Sequence, residues 1–209
     1  MESHSTQSED SNRSQRSSFG SGDIITPDYV RIMKRASDRN FCSLRDNTLI
    51  RFGTYEIRDY ESGLCLFEIT EDQQIYAHNY ALQEEDDGNE SADFRTLRYG
   101  FGPDFLELKT LQLKLEFYVD GDEPIKDLLL VERFYFKDRL LTNFEFNFPF
   151  CMPKSQNQAE FIYDLPKLTP EEKEEMINSP WVPKSDSFFF VNNQLIIHTR
   201  AAYNYSRDQ

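Results

Sequence analysis

The groups in this chain that carry out reactions elsewhere are too scattered to define a reaction here. Its histidines are His4, His78 and His198. No two of them share a helix face or a short spacing, so the pattern predicts no zinc site. The cysteines, Cys42, Cys65 and Cys151, lack C-x-x-C spacing and read as reduced thiols. Cys151, beside Met152 and Pro153, has no base partner in view and reads as a buried structural thiol. No G-x-S-x-G elbow, phosphate-binding loop or G-x-G-x-x-G fingerprint occurs, and no carboxylate pair stands out from the acidic background. The expectation is a binding protein rather than an enzyme, with no cofactor and no metal. Glu132 is the polar residue that asks for an explanation. It alternates with Phe134 and Phe136 and so shares their strand face. A carboxylate there is costly unless it has a polar partner or reaches a rim. It either pairs at a sheet edge with an arginine such as Arg98 or Arg133, or it waits for a ligand. Tyr99 and Tyr163 are amphipathic and suit either the mouth of a cavity or ordinary packing.

The elements that must position these residues are mostly strands. Val131 to Cys151 reads VERFYFKDRLLTNFEFNFPFC, in which Phe144, Phe146, Phe148 and Phe150 recur at every second position. That period puts their rings on one strand face, with a turn at Lys137-Asp138-Arg139. Such a hairpin needs a thick apolar layer opposite it, which is either an ordinary core or the wall of a greasy cavity. Further strands are expected over 49–58, 64–70 and 94–101, and over Leu111 to Val119, where apolar and polar residues alternate. Others are expected over 128–136 and 160–165, and in the hairpin SFFFVNNQLIIHTR, whose turn is Asn192-Asn193. Two short helices are expected. One starts at Thr26-Pro27-Asp28 and runs to about Ala36; the other is TPEEKEEMIN, with a capping box from Thr169 to Glu172. The fold class is therefore all-β, a β-sandwich with two short helices. Residues 1–24 are Ser-rich and read as a disordered tail, residues 25–209 as one domain, and the acidic stretch 84–93 as a loop.

At 209 residues and 14% aromatic, the chain has enough apolar mass for a sizeable core. Its formal net charge of -14 leaves no basic stripe for phosphates and disfavours both nucleic acid and an anionic membrane surface. No apolar run reaches the roughly 20 residues of a membrane span. The polar N-terminus, Glu2 in place of glycine and the ending SRDQ predict neither a signal peptide nor a lipid attachment. The expected setting is soluble and cytoplasmic.

Four blocks carry a resemblance: YEIRDYESGLCLFEI; FRTLRYGFGPDFLELKTLQLKLEFYV; VERFYFKDRLLTNFEFNFPFCMPKSQNQAEFIYDLP; and SDSFFFVNNQLIIH with AAYNYS. Together, from about Pro27 to Ser206, they resemble the uncoordinated-119 proteins. These are the acyl-binding branch of the GMP phosphodiesterase delta-subunit family, which shares its sandwich with the Rho GDP-dissociation inhibitors. The resemblance implies an immunoglobulin-like β-sandwich with a deep apolar pocket between its sheets. It implies binding of N-myristoylated proteins such as G-protein alpha subunits, their extraction from membranes and delivery to cilia, and release by a GTP-bound Arf-like GTPase. Matched position by position, it implies a pocket lined by Tyr55, Tyr99, Phe105, Leu111, Phe136, Phe144 and Tyr163, with Glu132 near the amide of the cargo's first glycine. Phe134 stands where relatives have histidine and Phe189 where they have tyrosine, so these two pocket positions are more apolar here. Leu165 replaces a family phenylalanine. A prenyl group as ligand, or a filled sandwich acting as a protein adaptor, are the alternatives.

Overall fold

The computed structural model describes residues 24–86 and 95–207. Nine strands and three α-helices are assigned there: α1 (Pro27–Arg31), β1 (Ile50–Asp59), β2 (Cys65–Ile69), α2 (Glu71–Asp86), β3 (Thr96–Gly100), β4 (Thr110–Val119), β5 (Ile125–Phe136), β6 (Arg139–Cys151), β7 (Ser155–Asp164), α3 (Pro170–Ile177), β8 (Pro183–Val191) and β9 (Gln194–Asn204). They form two sheets, one of four strands in the order β2-β1-β4-β7 and one of five in the order β3-β9-β8-β5-β6. The expected immunoglobulin-like β-sandwich is thus the fold. Strand β4 shows how the sequence makes a wall. Leu111, Leu113, Leu115, Phe117 and Val119 are buried, and the residues between them are partly exposed. Facing them from the other sheet are Leu128, Leu130, Phe189 and Ile197 in one continuous core.

Turn chemistry sets the registers. Asn192 and Asn193 both adopt positive φ between β8 and β9, as a two-residue hairpin requires. Gly63, at φ +72°, closes the β1–β2 turn, where a side chain would be strained. Strand β6 pairs with β5 alone; Phe144, Phe146 and Phe148 are half-buried with exposed residues between them, and Phe150, 56% exposed, ends the row.

Helix α3 carries the expected capping box, with Thr169 accepting from the Glu172 amide and Glu172 reaching back to the Thr169 amide. Helix α1 stops at Arg31, short of the expected Ala36. Helix α2 is a correction. The sequence suggested two helices and a loop from 84 onward, yet 71–86 is helical and holds His78 and the start of the acidic stretch. Its residues lack an apolar stripe; its start is tied down instead, by Arg51 bonding Glu71 at 2.5 Å and by the Tyr118 hydroxyl donating to Glu71 at 3.0 Å. The rest of that acidic stretch, 87–93, and the proposed tail up to residue 23 lie outside the described residues. Residues 25–46 run as a strap over the outer face of the five-stranded sheet. There Ile25, Val30, Phe41 and Cys42 pack with Val131, Phe188, Phe190 and Leu195 in a second apolar cluster.

Candidate functional site: an apolar cavity between the sheets

Two adjoining chambers lie between the sheets. The first holds about 120 Å³ and is lined by Phe52, Tyr55, Phe67, Tyr99, Leu113, Leu115, Leu130, Glu132, Ser185, Ser187, Phe189 and Tyr203, among others. The second holds about 70 Å³ and includes Tyr55, Phe101, Phe105, Leu111, Phe134, Phe144, Tyr163, Leu165, Met176, Tyr203 and Tyr205. Tyr55 and Tyr203 belong to both linings and stand where the chambers meet. The walls are built by period two. On β5, Glu132 and Phe134 line the chambers while Arg133 and Tyr135 are buried with the outer cluster's polar groups. On β8, Ser185, Ser187 and Phe189 face the cavity, and the fully buried Asp186 and Phe188 lie behind them. Aromatic edges close the second chamber: Phe144 meets Tyr163 at 4.1 Å between centroids, and Phe101 stacks on Phe105 at 4.3 Å.

The polar groups on this wall are few. Ser187 Oγ donates to Glu132 Oε1 at 3.1 Å, and Ser185 and the Tyr203 hydroxyl are bonded at 2.8 Å. Burial pushes the Glu132 carboxyl up to about 7, against the Ser187 hydrogen bond, which pulls it down. Burial also drives the hydroxyls of Tyr55, Tyr163 and Tyr203 well above their ordinary range, with Glu132 adding to the effect on each. Neither arginine considered from the sequence pairs with Glu132. Arg133 donates to the Tyr135 hydroxyl and the Met33 carbonyl, and Arg98 lies over the Trp181 ring. Glu132 therefore brings a charge, or a proton held in place of one, into an apolar space whose nearest partner is a serine.

The expected residues come together, with one exception. Tyr55, Tyr99, Glu132 and Phe189 line the first chamber, and Tyr55, Phe105, Leu111, Phe134, Phe144 and Tyr163 the second. Phe136 lines neither; it is buried in the core near the end of β5. Parity on β5 is kept, because its ladder with β8 runs unbroken to Phe136 and the extra residue at the β5–β6 shift is Leu141 on β6. Phe136 stays on the interior side with Phe134 but past the end of the chambers. Residues the sequence reading passed over include Phe52, Phe67, Leu113, Leu115 and Tyr203. The signal existed for Leu113 and Leu115, which share the β4 parity of Leu111; none marked Phe52 or Phe67 as wall rather than core. Among the described residues no group of three or more His, Cys, Asp or Glu is placed to hold a metal, and no helix is long and apolar enough to cross a membrane.

A sandwich with a two-chambered apolar interior and a single embedded carboxyl is built to enclose a hydrocarbon. Residues 46–205 match the family described as GMP-PDE, delta subunit. The chain is 43% identical over 192 residues to the protein unc-119 homolog B of Danio rerio, covering 90% of this chain and 76% of that one. It is 39% identical to the human protein unc-119 homolog B (90% and 74% covered) and 41% identical to protein unc-119 of Caenorhabditis elegans (87% and 80%). Among solved structures, a beta-glucuronidase from glycoside hydrolase family 2 overlaps 46% of this chain and 10% of its own, at 11% identity and a TM-score of 0.34, too remote to bear on function. The chain belongs to the unc-119 branch of the GMP-PDE delta-subunit family, a family of lipid-binding carriers.

Proposed function

We propose that this protein is a carrier for N-myristoylated proteins. It takes the acyl chain into the two chambers, holds the first residues of the cargo near Glu132, and lifts the cargo from the membrane. The observation that carries this reading is the pairing of a largely apolar cavity between the sheets with one carboxyl, Glu132, on its wall. An acyl chain enters the space, and the glycine amide N–H beside it gives the carboxyl a second donor besides Ser187. The energy is of the right size. About 13 carbons beyond the carbonyl, at roughly 0.8 kcal/mol each, give about 10 kcal/mol gross. Lost ligand freedom and side-chain ordering offset about half of that. The remainder competes with a bilayer, which holds a single myristoyl chain only marginally.

Release by a GTP-bound Arf-like GTPase needs only a modest coupling energy, because a partner that favours a narrower junction at Tyr55 and Tyr203 lowers acyl affinity by that amount. G-protein alpha subunits and myristoylated ciliary proteins are the proposed cargo, with the cilium as destination and the cytoplasm as the carrier's own compartment. The test is a titration with a fluorescent myristoylated glycine-rich peptide beside a farnesylated one. Saturable submicromolar binding of the acyl peptide alone is the expected result. Preference for the farnesyl peptide would make this a prenyl carrier, and binding of neither would remove the carrier reading. Adding an Arf-like GTPase loaded with a GTP analogue, against its GDP form, then tests release.

A further inference from the structure

Behind the cavity wall lies a buried polar seam that the carrier reading does not use. On the outer face of the five-stranded sheet, Arg133 (β5), Asp186 (β8) and Arg200 (β9) stand in one cross-strand row, and Phe188 and His198 in the next. Asp186 and His198 are 0% and 1% exposed, and Arg133, Arg200 and Arg95 are also buried. These side chains hold the strap mainly through its backbone. Asp186 accepts from the Ser37 amide at 2.8 Å and from the Ser37 hydroxyl at 2.5 Å. Arg133, Arg200 and Arg95 donate to the carbonyls of Met33, Ser37 and Cys42. The His198 ring is packed between Phe41 and Phe188, with centroids 5.0 and 4.7 Å away and planes within 18°.

Both ring nitrogens of His198 are committed. The Phe41 amide donates to Nδ1 at 3.1 Å, so Nδ1 carries no proton; Nε2 then carries it and points to Asp186 Oδ1 at 3.1 Å. Serine, histidine and aspartate meet here, but not as a nucleophile with its base. The Ser37 hydroxyl gives its hydrogen to Asp186, and the proton on Nε2 leaves the ring no lone pair for that serine.

We propose that this seam is an acid-released latch: a second proton on His198, at Nδ1, removes the acceptor of the Phe41 amide, sets two donors face to face, and frees the strap around 37–42 from the sheet. The groups facing the ring are Asp186 on β8, Arg200 on its own strand, Arg95 beside β3, and Ser37, Phe41 and Cys42 on the strap. Asp186 favours a charged ring; burial, the largest influence, opposes it, as do Arg95 and Arg200, and the net effect lowers the histidine below its ordinary range. The closed strap therefore holds the neutral ring. A freed strap lets His198 titrate near the ordinary 6.5, so closure is complete above that pH and weakens as pH falls toward the depressed value.

Amide hydrogen exchange, corrected for intrinsic rates, tests this on the full chain. Between pH 7.5 and pH 5.5 the protection of the Phe41 and Ser37 amides should fall about tenfold, while the Leu115 amide in β4 holds its value. His198→Gln, with a neutral side chain, should abolish the pH dependence at Phe41. Because that variant removes a packed ring, the wild-type protein supplies a second readout from the nitrogen shifts of labelled histidine. These should show the Nε2–H tautomer at pH 7.5 and a titration midpoint below 6.5, after the loss of Phe41 protection has begun. Constant Phe41 protection between pH 7.5 and pH 5.5 would overturn the latch, and so would an Nδ1–H tautomer at pH 7.5.

Discussion

At Glu132 two influences oppose each other: burial favours the protonated carboxyl, and the Ser187 hydroxyl favours the carboxylate. Burial wins, and the group titrates at about 7 instead of the ordinary carboxylate range. The folded value lies above the unfolded one, so the contribution to stability is complete at and below about pH 4.3 and is lost as pH rises toward 7. Glu132→Gln should therefore nearly match the wild type at pH 4.5 and exceed it by about 3 kcal/mol at pH 8, as read from urea unfolding. An equal difference at both pH values would mean that Glu132 ionises normally. Phe144 offers the complementary experiment. Its ring lines the second chamber against Tyr163 from an edge strand, so Phe144→Asp places a charge in the acyl path at little cost to the ladder. Myristoyl-peptide affinity should fall by roughly 100-fold, the scale of an unpaired polar group buried against hydrocarbon, with circular dichroism unchanged. Uptake that survives in the folded variant would displace the chamber wall from β6.

Elements differ in how much of them could be read from the residues alone. The β4 alternation, the Asn192-Asn193 turn and the α3 capping box are local devices, each written within a few neighbouring positions, and each appears as the residues suggested. Removing one should have a local price: Thr169→Ala should cost about 1 kcal/mol in urea unfolding. Helix α2 escaped because Ile75, Tyr76, Ala77, Tyr80 and Ala81 supply no single apolar face. Two of its tyrosines, Tyr76 and Tyr80, are at least half exposed, and tertiary ties such as Arg51 to Glu71 hold it. The site divides in the same way. Leu111 and Phe144 could be placed by parity and resemblance, whereas Phe136 shares the interior face and still lies past the end of the chambers, which parity does not mark. The strap seam was invisible for a simpler reason: Ser37 and Asp186 are 149 residues apart, and no local pattern joins them.

For the whole molecule the decisive quantity is charge. A net charge of -14 surrounds the chambers with a negative field that repels anionic lipid and draws in basic peptide. A myristoylated peptide carrying several lysines should thus associate roughly tenfold more slowly at 300 mM than at 50 mM salt, and a neutral one with little change. Stopped-flow fluorescence measures both; equal salt dependence would mean that the field at the entrance is not set by the overall charge.

One ladder of the five-stranded sheet bears on how the protein is made. Strand β3 pairs in parallel with β9, joining Thr96–Gly100 to Arg200–Asn204 near the end of the chain. Strand β9 also lies between β3 and β8, so without it the sheet falls into two parts. During synthesis β3 leaves the ribosome and, at about 5–20 residues per second, waits roughly 5–20 s for its partner. In the second half of that interval both strands of the phenylalanine-rich β5–β6 hairpin are out, while β8 and β9, which complete their sheet, are not. Over those seconds an incomplete five-stranded sheet with a phenylalanine-rich face lacks its last partners, so adhesion to a greasy neighbour is the expected hazard of synthesis until the final residues emerge.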